Sequence, residues 1–102
     1  MSMIRALYYG ADRAEAFARN RHPGSFMLIP CQHLGLFELD FFCPGGSGLQ
    51  GSLLIGEGFK PGGDRLSFRW NGSRTEPTLD PLVEFADHWC GWLRSGYWQV
   101  CG

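Results

Sequence analysis

A two-residue turn near the C-terminus constrains this chain more than any other local feature. Ser95-Gly96 separates two aromatic-rich runs that favour β structure, so the segment predicts a β-hairpin with a tight turn. The length of the turn fixes the register of the two strands. It sets three cross-strand pairs: Arg94 with Tyr97, Trp92 with Gln99, and Cys90 with Cys101.

This register places three metal-binding side chains on one face of the hairpin. Residues two apart on a strand share a face, so His88 and Cys90 point the same way as Cys101. Directly opposite residues have Cβ atoms roughly 4.5–5.5 Å apart. Two thiols and one imidazole at such distances are three of the four ligands that a tetrahedral zinc site requires.

The remaining sequence predicts short strands rather than long helices. Fifteen glycines and six prolines divide the 102 residues into short segments. One helix is expected over about residues 12–20, where Asp12 is the N-cap and Glu15 completes a capping box. We therefore predict a mainly β (α+β) fold over a single domain, 1–102. It is a small antiparallel β domain with one N-terminal helix, a β region over 25–102 and a C-terminal hairpin.

The segment Leu36–Cys43 supplies a fourth candidate zinc ligand. Its alternation predicts a strand with Phe37, Leu39 and Phe41 facing inward, Cys43 at the inward-facing end, and Glu38 and Asp40 on the solvated face. The complete predicted ligand set is Cys43, His88, Cys90 and Cys101. A structural zinc held by this set would join a central strand to the hairpin and stabilise a small core.

Two alternatives to this ligand set remain open at the level of sequence. Cys31 and His33 share a face if their segment is extended, so either could enter the site. Cys90 and Cys101 could instead form a disulfide, because paired cross-strand positions lie within bridging distance. A buried cysteine can also serve simply as a small apolar side chain.

Charge and hydropathy exclude several function classes. The formal net charge is −1, from nine basic and ten acidic residues, and basic residues form no run. Nucleic-acid binders and membrane-surface binders depend on such runs. The N-terminus lacks the apolar stretch of a signal peptide, so we expect a cytoplasmic location, where cysteines are thiols or metal ligands more often than disulfides.

Aromatic and arginine side chains offer a candidate surface for a protein partner. Trp92 and Tyr97 lie on the thiol face of the predicted hairpin, where they either shield the metal or stand exposed as interface anchors. The opposite face of the hairpin is expected to belong to the core; it carries Trp89, Leu93, Trp98 and Val100. Three arginines are expected to extend the binding patch: Arg69, Arg74 and Arg94.

The second half of the chain resembles a family of small uncharacterised zinc-knuckle proteins from phages, prophages and bacteria. The resemblance is carried by the knuckle-like run Phe41–Gly48, the strand and turn Leu66–Gly72, the Pro77–Pro81 segment and the hairpin His88–Cys101. Members often carry the label ammonia monooxygenase, which no residue here supports. The resemblance implies a compact β domain with a structural zinc, held by Cys43 in the knuckle and by His88 and Cys90 in the hairpin. Two departures are the missing second knuckle cysteine and the exchanged order of cysteine and histidine.

From these features we expect a non-enzymatic, zinc-stabilised domain of phage or prophage type that binds a host protein. Inhibition of a host defence complex, such as a CRISPR effector, is one concrete form of that function. A metal-dependent hydrolase with an open zinc position is an alternative, since three protein ligands and a water would suffice for catalysis. A minor virion or assembly component is a further alternative.

Overall fold

Two β-sheets form the body of the protein in the computed structural model, which describes residues 3–62, 66–85 and 89–101. The strands are β1 (Met3–Arg5), β2 (Phe26–Pro30), β3 (Leu36–Phe42), β4 (Gln50–Glu57), β5 (Ser67–Trp70), β6 (Leu79–Asp80), β7 (Val83–Phe85), β8 (Trp89–Arg94) and β9 (Tyr97–Val100), and the helix is α1 (Ala14–Asn20).

The two sheets differ in the direction of their strand pairs. The terminal sheet has the order β1-β9-β8-β7, and all its pairs are antiparallel. The central sheet has the order β2-β3-β4-β5-β6, and its β4–β5 pair is parallel. The predicted mainly β fold with one short helix and a C-terminal hairpin is therefore confirmed. One correction applies, because the central sheet is mixed rather than wholly antiparallel.

The inner faces of both sheets contribute to one hydrophobic core. Phe41 of β3 stacks on Trp98 of β9 with 5.2 Å between ring centroids, and both side chains are fully buried. The indole N–H of Trp98 donates to the carbonyl of Gly24 at 2.9 Å, so its polar atom is satisfied inside the core. This contact joins the terminal sheet to the chain segment that leads into β2.

The helix begins later than the sequence predicts. A single 3₁₀ turn, Ala11–Arg13, precedes α1, so Asp12 lies inside that turn and its side chain makes no capping hydrogen bond. The predicted cap at Asp12 is therefore wrong, although a helix does form in this region. The helix ends where Arg21 adopts a left-handed conformation with φ 48° and donates its backbone N–H to the carbonyl of Phe17.

The helix covers the outer face of the central sheet next to β3. Phe17 packs against Phe42 with 4.8 Å between ring centroids. Asp40, which was expected on a solvated face, lies two residues before Phe42 on the same face of β3 and is only 9% exposed. Its carboxylate accepts a hydrogen bond of 2.7 Å from the hydroxyl of Ser52, the residue opposite it on β4. The prediction was wrong because the helix that covers this face comes from a distant part of the sequence.

The loop after β5 is longer than the tight turn that the Asn71-Gly72 pair suggests. Asn71 organises it, because the Asn71 side-chain oxygen accepts the backbone N–H groups of both Ser73 and Thr78. On β5 and just before it, Leu66 is 63% exposed, whereas Phe68 and Trp70 are fully buried.

None of the helical residues that the structure describes forms a segment long and apolar enough to cross a bilayer.

Candidate functional site

The C-terminal hairpin has the predicted turn and register. Ser95 and Gly96 both have positive φ, 49° and 88°, as a two-residue type I′ turn requires. The strands pair Arg94 with Tyr97, Leu93 with Trp98 and Trp92 with Gln99. The expected inner face is buried at Trp89, Leu93 and Trp98, but Val100 is 45% exposed because it lies at the open end of the hairpin.

Cys90 and Cys101 lie opposite each other, as predicted, and their sulfurs form a disulfide. The Cα atoms are 5.6 Å apart, a usual separation for such a bridge, and the N–H of Cys101 donates to the carbonyl of Cys90. The disulfide occupies the two sulfurs that the zinc hypothesis assigns to the metal. Zinc would therefore require the reduced pair, because thiolates are the zinc ligands.

Of the other two predicted zinc ligands, the structure describes only Cys43. Cys43 is 1% exposed at the end of β3 and belongs to the core cluster that includes Trp89. His88 lies outside the described residues. Within residues 3–62, 66–85 and 89–101, no cluster of three or more histidine, cysteine, aspartate or glutamate side chains could hold a metal ion. The four-residue zinc site thus stays a prediction.

The second candidate pair lies on an exposed loop between β2 and β3. Cys31 and His33 are both exposed and line an open cavity of about 360 Å³ together with Leu34, which is fully exposed. The N–H of Cys31 donates to the carbonyl of Leu36, and that of Leu36 donates to the carbonyl of His33. These bonds account for the geometry of the loop without a metal.

A glycine-rich turn, residues 43–49, lies beside Trp89 of the hairpin. The N–H of Gly46 donates to the carbonyl of Cys43, and the N–H of Cys43 donates to the carbonyl of Leu49, which closes the turn. Ser47 is exposed at its tip. Both flanking glycines, Gly46 and Gly48, have positive φ and empty space within 4 Å of where a Cβ would lie, so another backbone can approach closely.

Two contacts hold the glycine-rich turn against the rest of the protein. The Arg21 guanidinium donates to the carbonyl of Gly48 at 2.7 Å, which brings a fixed positive charge next to Ser47. On the other side, a Cβ on Gly45 would lie 3.1 Å from the Trp89 indole and 3.5 Å from the Cys43 sulfur. The indole N–H of Trp89 is buried without a hydrogen-bond partner, which is rare for a polar group.

Three other serine hydroxyls are committed to structural hydrogen bonds. Ser25 and Ser67 are fully buried, and each donates to a backbone carbonyl, that of His22 and that of Pro61 respectively. Ser52 donates to the carboxylate of Asp40. The Ser47 hydroxyl also makes a local bond, because its oxygen accepts the backbone N–H of Leu49 at 3.3 Å. Its exposure, not the lack of a hydrogen bond, sets Ser47 apart from the buried Ser25 and Ser67.

The arginines of the expected binding patch are exposed but do not form one cluster. Arg94 lies over the Trp92 ring at 4.2 Å, and Arg5 lies over the Tyr97 ring at 5.1 Å. Trp92 and Tyr97 therefore each make a cation–π contact with an arginine on the outer face of the hairpin. Arg69 and Arg74 line two different cavities.

Comparison with known protein families decides the family of this chain. Residues 14–101 match the family model described as bacterial ubiquitination-like system serine protease (BubE). The chain belongs to the BubE family. The matched span includes α1 and every strand from β2 to β9. No curated protein and no solved structure matches the chain.

The BubE match corrects the function expected from the sequence. The expected function was non-enzymatic binding of a host protein, and that expectation is wrong because the matched family is described as a serine protease. The coarser expectation of a protein partner agrees with a family of ubiquitination-like systems. The match says nothing about the resemblance to zinc-knuckle proteins or about a metal.

Ser47 was not among the functional residues expected from the sequence, where Cys43 was the only candidate in this segment. The signal that could have found it is an exposed serine between two glycines, Gly46-Ser47-Gly48, which leaves room for a substrate backbone.

Proposed function

We propose that this chain is a peptidase of a bacterial ubiquitination-like system, which hydrolyses the bond at the carboxyl end of a ubiquitin-like modifier. The single observation that carries the proposal is the BubE match over residues 14–101. That span includes nearly all of both sheets and the shared core. The match thus extends over most of the chain rather than over one motif.

The glycine-rich turn is the part of the structure that best suits a serine nucleophile. A nucleophile must be open to its substrate, and Ser47 is exposed at the tip of the turn. Hydrolysis also needs donors or positive charge where the oxyanion develops. The Arg21 guanidinium, fixed on the carbonyl of Gly48, supplies positive charge beside Ser47.

In the proposed reaction the Ser47 hydroxyl oxygen attacks the carbonyl carbon at the end of the modifier and gives its proton to a base. The tetrahedral intermediate collapses, the amine leaves with a proton, and a water molecule then hydrolyses the acyl-enzyme. We assign the role of the base to His88, one of the three histidines of the chain, and the His88→Ala variant below tests that assignment.

The test uses the modifier of the same system fused at its carboxyl end to a reporter protein. We expect the chain to release the reporter at the last residue of the modifier, as read by intact-mass spectrometry. Ser47→Ala and His88→Ala should each lower the rate at least about 100-fold, as loss of a nucleophile or base does. Ser95→Ala is the matched control, because Ser95 is also an exposed turn serine.

A fluorophosphonate probe gives a second readout, because a reactive serine displaces its fluoride and becomes labelled. Labelling of the wild type but not of Ser47→Ala supports the assignment. Cleavage that survives Ser47→Ala would contradict Ser47 as the nucleophile. If the unaltered chain fails to cleave the fusion at all, the peptidase proposal itself is wrong.

A further inference from the structure

An open cavity with two arginines lies where the N-terminal strand meets the loop after β5. Its volume is about 230 Å³, and its lining residues are Arg5, Ala6, Leu7, Tyr8, Arg74 and Thr75. Among these lining residues, two side chains are cationic, two carry a hydroxyl group and none is acidic. The cavity therefore presents hydrogen-bond donors and positive charge to whatever enters it.

Arg5 is held in place by backbone carbonyls from two other segments. Its guanidinium donates to the carbonyl of Thr75 and, at 3.3 Å, to the carbonyl of Gly96. It also lies over the ring of Tyr97. A guanidinium has five N–H donors, so these two bonds leave others for a ligand. Because the side chain is already ordered, little further entropy is lost when a ligand binds.

Arg74 is oriented by a different set of contacts. Its guanidinium carbon lies 5.5 Å from the Trp70 ring and 5.8 Å from the Phe37 ring. Those two rings are nearly perpendicular, at 78°, so they border the cation on two sides. Arg5 bonds the carbonyl of Thr75, the residue that follows Arg74, and both arginines line the same cavity.

We propose that this cavity binds a carboxylate of the protein substrate. Planar guanidinium groups match carboxylates through paired hydrogen bonds, and two fixed arginines with no acid among the lining residues favour an anion of that shape. Leu7, 41% exposed at the cavity, offers an apolar contact to the residue next to the carboxylate. The carboxylate belongs either to a chain terminus or to an acidic side chain.

The inference rests on the proposed function only in naming the partner as the substrate of the peptidase. Four of the six lining residues, Arg5 to Tyr8, precede residue 14 and so lie outside the span that matches the BubE model. The carboxylate site is thus a feature of this chain in addition to the features that define its family match.

The test measures binding of short peptides by fluorescence anisotropy, with a neutral dye on each N-terminus. Three peptides share the sequence Gly-Ser-Ala-Leu-Ala: one ends in a free carboxylate, one in an amide, and one in an amide with glutamate replacing its last alanine. All measurements use the Ser47→Ala protein, so that no cleavage occurs and the result does not depend on peptidase activity.

We expect at least one carboxylate peptide to bind at least 10-fold more tightly than the plain amide. Tight binding of the free-carboxylate peptide alone assigns the site to a chain terminus, and tight binding of the glutamate peptide alone assigns it to an acidic side chain. Either result supports the proposal, and so does tight binding of both. Equal binding of all three peptides, or no binding, overturns it.

Arg74→Ala should lower the affinity for the carboxylate peptide at least 10-fold. Arg74→Lys should lower it less, because lysine keeps the positive charge but cannot form the paired hydrogen bonds of a guanidinium. Arg69→Ala is the matched control, since it removes the same charge from an exposed arginine in a different cavity. It should change the affinity less than twofold. If Arg69→Ala and Arg74→Ala lowered the affinity equally, the protein's net charge would explain the binding, and the proposed site would be wrong. Circular dichroism confirms that each variant is folded.

Discussion

At the scale of single residues, Gly91 shows how closely the hairpin packs. A Cβ added to Gly91 would lie 2.4 Å from the Trp89 ring and 2.5 Å from the carbonyl oxygen of Gln99. The Trp89 indole therefore occupies the space that a side chain at position 91 would need. Glycine inside a strand is otherwise unfavourable, so this close approach explains its presence.

We therefore expect Gly91→Ala to lower the free energy of unfolding by about 1–3 kcal/mol, the usual effect of overpacking a core. Urea titration followed by tryptophan fluorescence measures the change. The matched control is Gly62→Ala, because a Cβ there meets nothing within 4 Å. That variant should be neutral or more stable by up to about 1 kcal/mol. If both substitutions had the same small effect, the packing around Gly91 would be looser than described.

At the scale of elements, the disulfide makes the hairpin the most constrained part of the chain. The bridge joins Cys90 to Cys101 across a separation of 11 residues. A loop of this size is expected to stabilise the folded state by about 3 kcal/mol, because it restricts the unfolded chain. Dithiothreitol should therefore lower the free energy of unfolding by about that amount, whereas Cys31→Ser should leave it unchanged.

A count of reactive thiols checks the same prediction without reference to stability. The denatured, non-reduced protein should show two reactive thiols, those of Cys31 and Cys43. Four would mean that the bridge is absent from the isolated protein. The reduced protein also tests the zinc hypothesis, since Cys43, His88, Cys90 and Cys101 should then bind about one equivalent of zinc. If the reduced protein takes up no zinc, that ligand set is wrong.

Elements whose partners are close in sequence could be predicted, and elements with distant partners could not. The Ser95-Gly96 turn fixes its own register, so the hairpin pairs follow from a few neighbouring residues. The pairing of β1 with β9 and the parallel pairing of β4 with β5 depend on chain folding that no local pattern encodes. The same reason explains why Asp40 was misplaced, since α1, from a distant segment, packs against Phe42 on the same face of β3.

Prediction of the site was limited in the same way. The facing positions of Cys90 and Cys101 followed from the turn, but whether their sulfurs bond to each other or to a metal depends on redox state rather than on spacing. Ser47 has no base within its own segment, so its neighbourhood became visible only when the structure placed Arg21 on the same turn. Arg5 was missed because its partners, Thr75 and Gly96, are far away in sequence.

At the scale of the whole molecule, the two sheets should unfold together because they share one core. Phe41 of the central sheet stacks on Trp98 of the terminal sheet, and the Trp98 indole also bonds the carbonyl of Gly24. Arg5 adds a polar link from β1 to the hairpin turn and to the loop after β5. Neither sheet can therefore keep its buried face covered when the other is lost.

We expect a single cooperative transition in urea, with a slope of about 1–3 kcal/mol per molar for a chain of this size. Far-UV circular dichroism reports both sheets, whereas tryptophan fluorescence mainly reports the shared core, so the two curves should coincide. The disulfide must stay oxidised throughout, since its reduction during the titration would add a second process. Two separated transitions would show that the terminal and central sheets are independent units, contrary to the packing of Phe41 on Trp98.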